Sequence, residues 1–388
     1  MAQDTTAIAR RARETGRLGI DTEFVGEGRY RPLLCLVQVV VLDEQGASDI
    51  TVLDPLAGEG FDPAPLAEVL ADPAVEIVLH AGRQDVALLR RVWGTELTNI
   101  FDTQVAAGFA GLRAQLGYEA LVNEILGVRL NKSASFTKWD ARPLSPEQLV
   151  YAREDVLHIL QLSGRLQERL DAMGRLRWAV EECRFLEDIR DDRDADTVFE
   201  KLPRVGGLDP AIRAVARELV VWREERAREA DRPVSGVLQD ATLVEIAKRR
   251  PKSVERLEQI RGLHEGTLRR RGAEIVAAVE RGRGRPPIPS AYERPAQPEP
   301  EDAPLIALAE ALVRTRAQDH DLAYELMAAR ADLQRIVLSV RDETPPPDVR
   351  TLQGWRRELI GEELLALLRG ELALAMGPGR RIEVIPRA

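Results

Sequence analysis

Cysteine is nearly absent. Two in 388 residues, Cys35 and Cys183, leave no disulfide framework to hold the fold together. Cys35 lies inside an apolar run, residues 33–42, and reads as a small buried hydrophobe. Histidine is as sparse, with four in the chain and no Cys/His spacing of the kind that binds zinc. Glycine-rich phosphate loops are missing too: there is neither a G-x-x-x-x-G-K nor a strand-linked G-x-G-x-x-G. No apolar run approaches the ~20 residues of a membrane span, and residues 1–16 carry no apolar signal core. A soluble protein of a reducing cytoplasm is the expectation.

What is present suits a multi-domain enzyme. The length predicts two or three domains, and 44% hydrophobic residues are enough to fill their cores. The net charge of −9 argues against a nucleic-acid binder when taken as a sum, but the charge is uneven. Residues 204–286 hold 19 Lys/Arg against 13 Asp/Glu, a balance of 19 − 13 = +6, which leaves −15 for the remainder. Local fields steer polyanions more than the sum does.

The first half alternates strand and helix signals. Residues 17–25, 33–42, 49–56 and 75–81 read as strands, and 65–72 and 83–94 as helices with apolar residues at helical spacing. Adjacent strand signals early in the chain predict a mixed sheet in an α/β layered domain. From about residue 140 the pattern is helical. Residues 145–174 read as one long amphipathic helix, with Ser145 as N-cap and Pro146 at its first position. Charged residues 186–207, broken by Pro203, Gly206 and Gly207, mark a junction. Residues 208–282 form a helical unit, and a Pro- and Glu-rich stretch follows as linker. A second helical unit runs from 305 to 376, and the last dozen residues read as a tail.

Within this frame four carboxylates and one tyrosine stand out. Asp21 and Glu23 are two apart on a strand and therefore share a face, with Thr22 turned the other way. Tyr151 and Asp155 are four apart on a helix and share a face there. Asp85 opens a helix just past a buried strand, where α/β sheets tend to build sites. Any one of these is commonly a solvated acid or a cap. Together, in order, they present hard oxygen ligands suited to Mg²⁺ or Mn²⁺.

The stretches DTEFVGEGRYRPLLCLVQ, LHAGRQDVALL, FDTQVAAGFAG, LNKSASFTKWDARPLSPEQLVYAREDVLHIL and WREERAREADRP resemble the ribonuclease D family, the tyrosine-bearing subgroup of DEDD 3′–5′ exonucleases. The resemblance covers nearly the whole chain. It implies a ribonuclease H-like (DnaQ-like) α/β exonuclease domain with a mixed sheet over 1–204, an HRDC helical domain over 205–284, a linker over 285–303 and a second HRDC-like domain with tail over 304–388. It further implies two divalent ions, Mg²⁺ or Mn²⁺, held by Asp21, Glu23, Asp85 and Asp155, with Tyr151 orienting the attacking water. The implied activity is removal of nucleotides, as 5′-monophosphates, from the 3′ ends of precursor tRNA and other small structured RNAs by a monomeric enzyme. Arg29 departs from the family's more usual Thr before a Tyr, and the run from Gln38 to Pro55 is longer than usual. Two rivals stay open: a 3′–5′ DNA exonuclease on the same scaffold, and a binding adaptor without catalysis.

Lesser signals divide between function and structure. Asp102 is expected to cap the following helix in preference to serving as a fifth ligand, and His80 to be a structural, hydrogen-bonded histidine. Lys132, Phe136, Lys138 and Trp139 lie in the segment before the third motif, where a base could stack and a phosphate be held. Trp139 reads equally well as core, and Arg142 as a phosphate contact or solvated surface. Lys248, Arg249 and Arg250 are candidates for tracking the RNA backbone. RGRGR, residues 281–285, is assigned to the linker, and Trp222 and Trp355 to cores.

Overall fold

The computed structural model describes residues 4–387 except 59, 114, 131–137, 192, 264 and 291–296. It begins with a helix the hydrophobic pattern had not marked, α1 (Thr5–Thr15), capped by the Asp4 side chain and buried through Ile8, Ala9 and Ala12. Then come β1 (Arg17–Val25), β2 (Leu33–Leu42), β3 (Ser48–Leu53), α2 (Ala64–Leu70), β4 (Glu76–Leu79), α3 (Arg83–Trp93), β5 (Ile100–Asp102), α4 (Thr103–Phe109) and α5 (Tyr118–Leu126). The sheet order is β3-β2-β1-β4-β5. β1 pairs antiparallel with β2 and parallel with β4, so the sheet is mixed and β1 lies at its centre. One face of the sheet, with Leu18, Ile20, Val37 and Val39, packs on α1, α2 and α3.

The long helix expected over 145–174 is two, α6 (Pro146–Leu157) and α7 (Ile159–Ala172), divided at His158. Ser145 caps α6 in a full capping box with Gln148. The break lies over the other face of the sheet, where Val40, Val78, Val156, Ile159 and Leu160 form a small core. Gly19 makes the approach possible: a Cβ there would stand 2.5 Å from Ile159 Cγ2 and 2.6 Å from Val40 Cγ1. α8 (Leu176–Glu187) packs against β5 and α4.

The middle unit comprises α9 (Ala195–Glu200), α10 (Pro210–Glu229), α11 (Val234–Val237), α12 (Asp240–Arg249), α13 (Val254–Leu257) and α14 (Glu265–Arg283). Phe199 of α9 is buried in its core. α14 runs through Arg281–Arg283, so most of RGRGR is helix and not linker. Gly282 is required there, because a Cβ would fall 2.5 Å from the Val215 Cα on α10. The unit meets the β1–β2 loop through Tyr30, whose hydroxyl donates to Glu224 at 2.7 Å, and through Arg29, which pairs with Asp231 at 2.8 Å and Asp140 at 3.5 Å.

The last unit holds α15 (Asp302–Asp319), α16 (Tyr324–Met327), α17 (Arg330–Arg341) and a helical run from α18 (Gly354–Arg356) to α19 (Glu362–Leu368). The final residues, expected as a tail, form a hairpin of β6 (Leu372–Met376) and β7 (Ile382–Pro386). This unit shares its core with the first. Its Ile306, Leu312, Trp355 and Ile360 are buried with Phe101, Phe109, Leu162 and Ala179 of the first unit.

Candidate active site

β1 supplies two acids to one face because alternate strand residues face the same way. Asp21 and Glu23 project toward α6, and Thr22 and Phe24 toward α3. Between Glu23 and Phe24 the register against β2 slips: Glu23 pairs with Leu36 and Phe24 with Leu34, which leaves Cys35 as an extra residue. Such a bulge bends the strand and re-aims its neighbours. The carbonyl of Cys35 accepts from Arg142 at 3.0 Å.

Asp85 lies in the first turn of α3 and is buried. Its carboxylate accepts a short hydrogen bond from the Thr22 hydroxyl. The turn before α3 is unusual, with Ala81 at φ 54°, a left-handed conformation for a residue with a side chain. Asp102 and Thr103 hold that turn. Asp102 Oδ2 accepts from Gly82 N at 2.8 Å and Oδ1 from Ala81 N at 3.2 Å. The same Oδ1 caps α4, accepting from Gln104 N and Val105 N. Thr103 donates to the Leu79 carbonyl and meets His80 Nδ1 at 2.9 Å. Asp102 is thus a cap, as expected, and also a brace for the segment that launches Asp85. Burial lowers the pKa of His80, which favours the neutral ring.

α6 brings Tyr151 and Asp155, one turn apart. The hydroxyl of Tyr118, a residue the sequence had not singled out, accepts the backbone N–H of His158 at 3.1 Å and so secures the helix end beside Asp155.

The acids from these three segments feel one another. Burial first, then the charges of Asp85, Asp155 and Glu23, hold Asp21 well above the usual carboxylate range. Burial, Asp155 and Asp85 push Glu23 up to about 8. Burial, with Glu154 adding to it, takes Asp155 to about 7. Asp85 is raised by burial, against the opposing Thr22 hydrogen bond. Burial, then Asp155, Glu23 and Asp21, raise Tyr151 well above an ordinary phenol. Among the described residues no Lys or Arg pairs with Asp21, Glu23, Asp85 or Asp155, although ion pairs are plentiful elsewhere in the chain.

An oxygen-only donor set that resists ionising by itself fits divalent cations. Among the described residues no three Asp, Glu, His or Cys side chains stand close enough to ligate one ion. Mg²⁺ does not require that, because it is commonly held by one or two carboxylates with water and substrate phosphates.

The other candidates separate. Lys132 and Phe136 lie outside the described residues. Lys138 is exposed. Trp139 is 2% exposed, packed with Cys35, Leu36 and Ala152, its ring 6.0 Å from that of Tyr151. Of its two readings, base platform and core, this burial supports the core. Arg142 is likewise structural, held by Asp54 at 2.7 and 2.5 Å and by the Trp139 carbonyl. Lys248, Arg249 and Arg250 are exposed at the end of α12, with Arg249 paired to Glu245 at 2.6 Å. Trp222 and Trp355 are buried, as expected.

Comparison with known proteins agrees with this layout. A family model described as 3′–5′ exonuclease matches residues 2–171, and the HRDC domain model matches residues 212–279. A ribonuclease D of Gluconacetobacter diazotrophicus is 38% identical over 99% of this chain and 95% of its own length. One of Granulibacter bethesdensis is 37% identical with the same coverage. The crystal structure of Escherichia coli RNase D, an exoribonuclease involved in structured RNA processing, superposes with a TM-score of 0.79 at 29% identity, covering 95% of this chain and 98% of that one.

Proposed function

The chain belongs to the ribonuclease D family and is a 3′–5′ exoribonuclease, and from that premise we propose that Asp21, Glu23, Asp85 and Asp155 are its metal-holding carboxylates. The observation that carries the reading is electrostatic. Asp85 of α3 and Asp155 of α6 raise the pKa of Asp21 and Glu23 on β1, and among the described residues no Lys or Arg pairs with these four acids. Two divalent ions, Mg²⁺ or Mn²⁺, when bound there would lower the pKa of water and offset charge on the scissile phosphate. The chain's own groups do the rest. Tyr151 stays protonated, so its hydroxyl orients the attacking water and does not deprotonate it. Glu23, at the bulge, contacts the terminal 3′-hydroxyl. The products are nucleoside 5′-monophosphates, released one at a time.

For substrate we propose the 3′ ends of precursor tRNA and other small structured RNAs, acted on by a cytoplasmic monomer. Among the described residues no helix is long and apolar enough to cross a membrane. Lys132, Phe136 and Lys138 would hold the single-stranded end near Tyr151, and Lys248, Arg249 and Arg250 would track the backbone further out. Such contacts add affinity without reading sequence.

The test uses RNA labelled at the 3′ or the 5′ end, with and without divalent ion, on the wild type, Asp85→Asn and Asp155→Asn. Early release of the 3′ label that requires the ion, and loss of turnover in both variants with RNA binding retained, is the expected result. Wild-type turnover in both variants would remove these residues from the site.

A further inference from the structure

β2 is ten residues long, LLCLVQVVVL, and Gln38 is its one residue with a carboxamide or charge. Gln38 is 0% exposed. Both polar atoms of its side chain, Oε1 and Nε2, are buried without a hydrogen-bond partner. An amide buried with neither atom paired destabilises a fold, and native proteins seldom keep one without a reason. The register places Gln38 directly across from Asp21. Cross-strand partners share a face, with Cβ atoms roughly 4.5–5.5 Å apart. Leu36 and Val40, two residues to either side, face Ala152 of α6 and Ile159 of α7. Gln38 therefore points into the layer between sheet and helix that also holds Asp21, Tyr151 and Asp155.

The acids there have few donors. Asp85 takes the Thr22 hydroxyl, and no side chain among the described residues donates to Asp21 or Asp155. We propose that Gln38 is a positioning residue of the catalytic cluster. Its carboxamide NH₂ donates to the Asp21 carboxylate oxygen turned away from substrate, and so fixes the plane of that carboxylate when divalent ions bind. A rotamer change within the buried layer is enough to make the bond. This inference rests on the reading of Asp21 as a metal-holding residue.

The experiment replaces Gln38→Met, close in volume and without a polar atom. In ion-free buffer the variant is expected to melt at a higher temperature than the wild type, because a buried unpaired amide is gone. With ions, kcat on RNA should fall on the order of 10–100-fold, as for other groups that orient metal-holding side chains. KM should stay within about twofold by the same reasoning, since Gln38 touches no substrate. The rise in melting temperature on adding Mg²⁺ should be smaller than in the wild type. Gln38→Leu serves should the Met variant not fold. Wild-type kcat together with a wild-type Mg²⁺-induced melting shift would overturn the proposal. Asp21→Asn is measured alongside. If it turns over normally, the reading of Asp21 fails. If it is inactive while Gln38→Met is normal, only the role of Gln38 fails.

Discussion

Asp102 Oδ2 accepts the backbone N–H of Gly82 at 2.8 Å, joining the end of β5 to the turn that opens α3. The two oxygens of this carboxylate have separate duties. Oδ1 caps α4 and reaches Ala81, and among the described residues Oδ2 serves Gly82 alone. Asp102→Asn separates them. Its oxygen keeps the cap, for which Asn is as good as Asp, and its NH₂ faces the Gly82 N–H and repels it. The expected result is a melting temperature lowered by a few degrees, since a buried N–H loses its acceptor, with kcat reduced on the order of 10–100-fold, read from single-turnover cleavage. Unchanged kcat would mean the turn holds Asp85 without help.

Tyr151→Phe removes one hydroxyl from the face shared with Asp155 and leaves the ring against Trp139. Because its phenol is held protonated by burial and the neighbouring acids, the loss is one of orientation. A decrease on the order of 10²-fold in kcat, with RNA affinity unchanged in a binding assay, is expected. A decrease as deep as that of Asp155→Asn would make Tyr151 a partner in proton transfer.

Much of this site is legible in the chain. Apolar runs delimit β2 and β4, the alternation in residues 20–24 pairs Asp21 with Glu23, and Ser145 as N-cap with Pro146 after it announces the start of α6. What escapes is set by register and tertiary contact. β5 is three residues long, too short for a period to show. The slip at Cys35 and the hydrogen bond from Thr22 to Asp85 exist only once strands and helices are paired. Trp139 beside a cluster of polar residues suggests a base platform as readily as a core residue, and the neighbours that bury it, Cys35 and Leu36, come from β2, far earlier in the chain. The last unit reads as an independent helical domain because a Pro- and Glu-rich stretch sets its helical pattern apart. That the apolar faces of its helices close over Phe109 and Leu166 is not written in their period.

Trp355 shows how far the first and last units are one body. It is fully buried, edge-on to Phe109 at 4.9 Å and stacked on Trp178 at 5.7 Å. Trp355→Ala opens a cavity between the units and should cost about 3–5 kcal/mol. Urea unfolding monitored by far-UV CD measures it. A loss under 1 kcal/mol would mean the units are held by other contacts.

Glu182 on α8 binds Arg356 through two hydrogen bonds, at 2.7 and 2.9 Å, at the same junction. Burial pushes its carboxyl up, but the Arg356 hydrogen bonds and charge, with Arg350 and the Trp355 indole, outweigh burial and leave it below its ordinary value of 4.5. A carboxyl depressed in the fold contributes stability that is present above its unfolded pKa and is lost as pH falls through the folded one. Glu182→Gln should therefore flatten the decline of melting temperature below about pH 4.5 relative to the wild type. Equal slopes in the two proteins would show that Glu182 carries none of it.

The carboxylate cluster has the opposite sign. Glu23 at about 8 and Asp155 at about 7 are raised in the fold, and Asp21 and Asp85 are raised with them. A raised acid binds its proton more tightly in the folded state, so the ion-free protein loses stability as pH climbs from the unfolded value near ~4 toward the folded one. Divalent ions bind the deprotonated groups and release protons, so their affinity should increase over the same range. Melting temperature measured from pH 5 to 9 in chelator is expected to fall, and with saturating Mg²⁺ the fall should shrink or vanish. Cleavage at limiting Mg²⁺ should rise with pH across 6 to 8 and shift toward acid as Mg²⁺ is increased. In Asp21→Asn and Asp155→Asn the chelator slope should be shallower, because one charge has left the cluster. A slope unaffected by either substitution or by Mg²⁺ would place the titrating groups elsewhere in the protein.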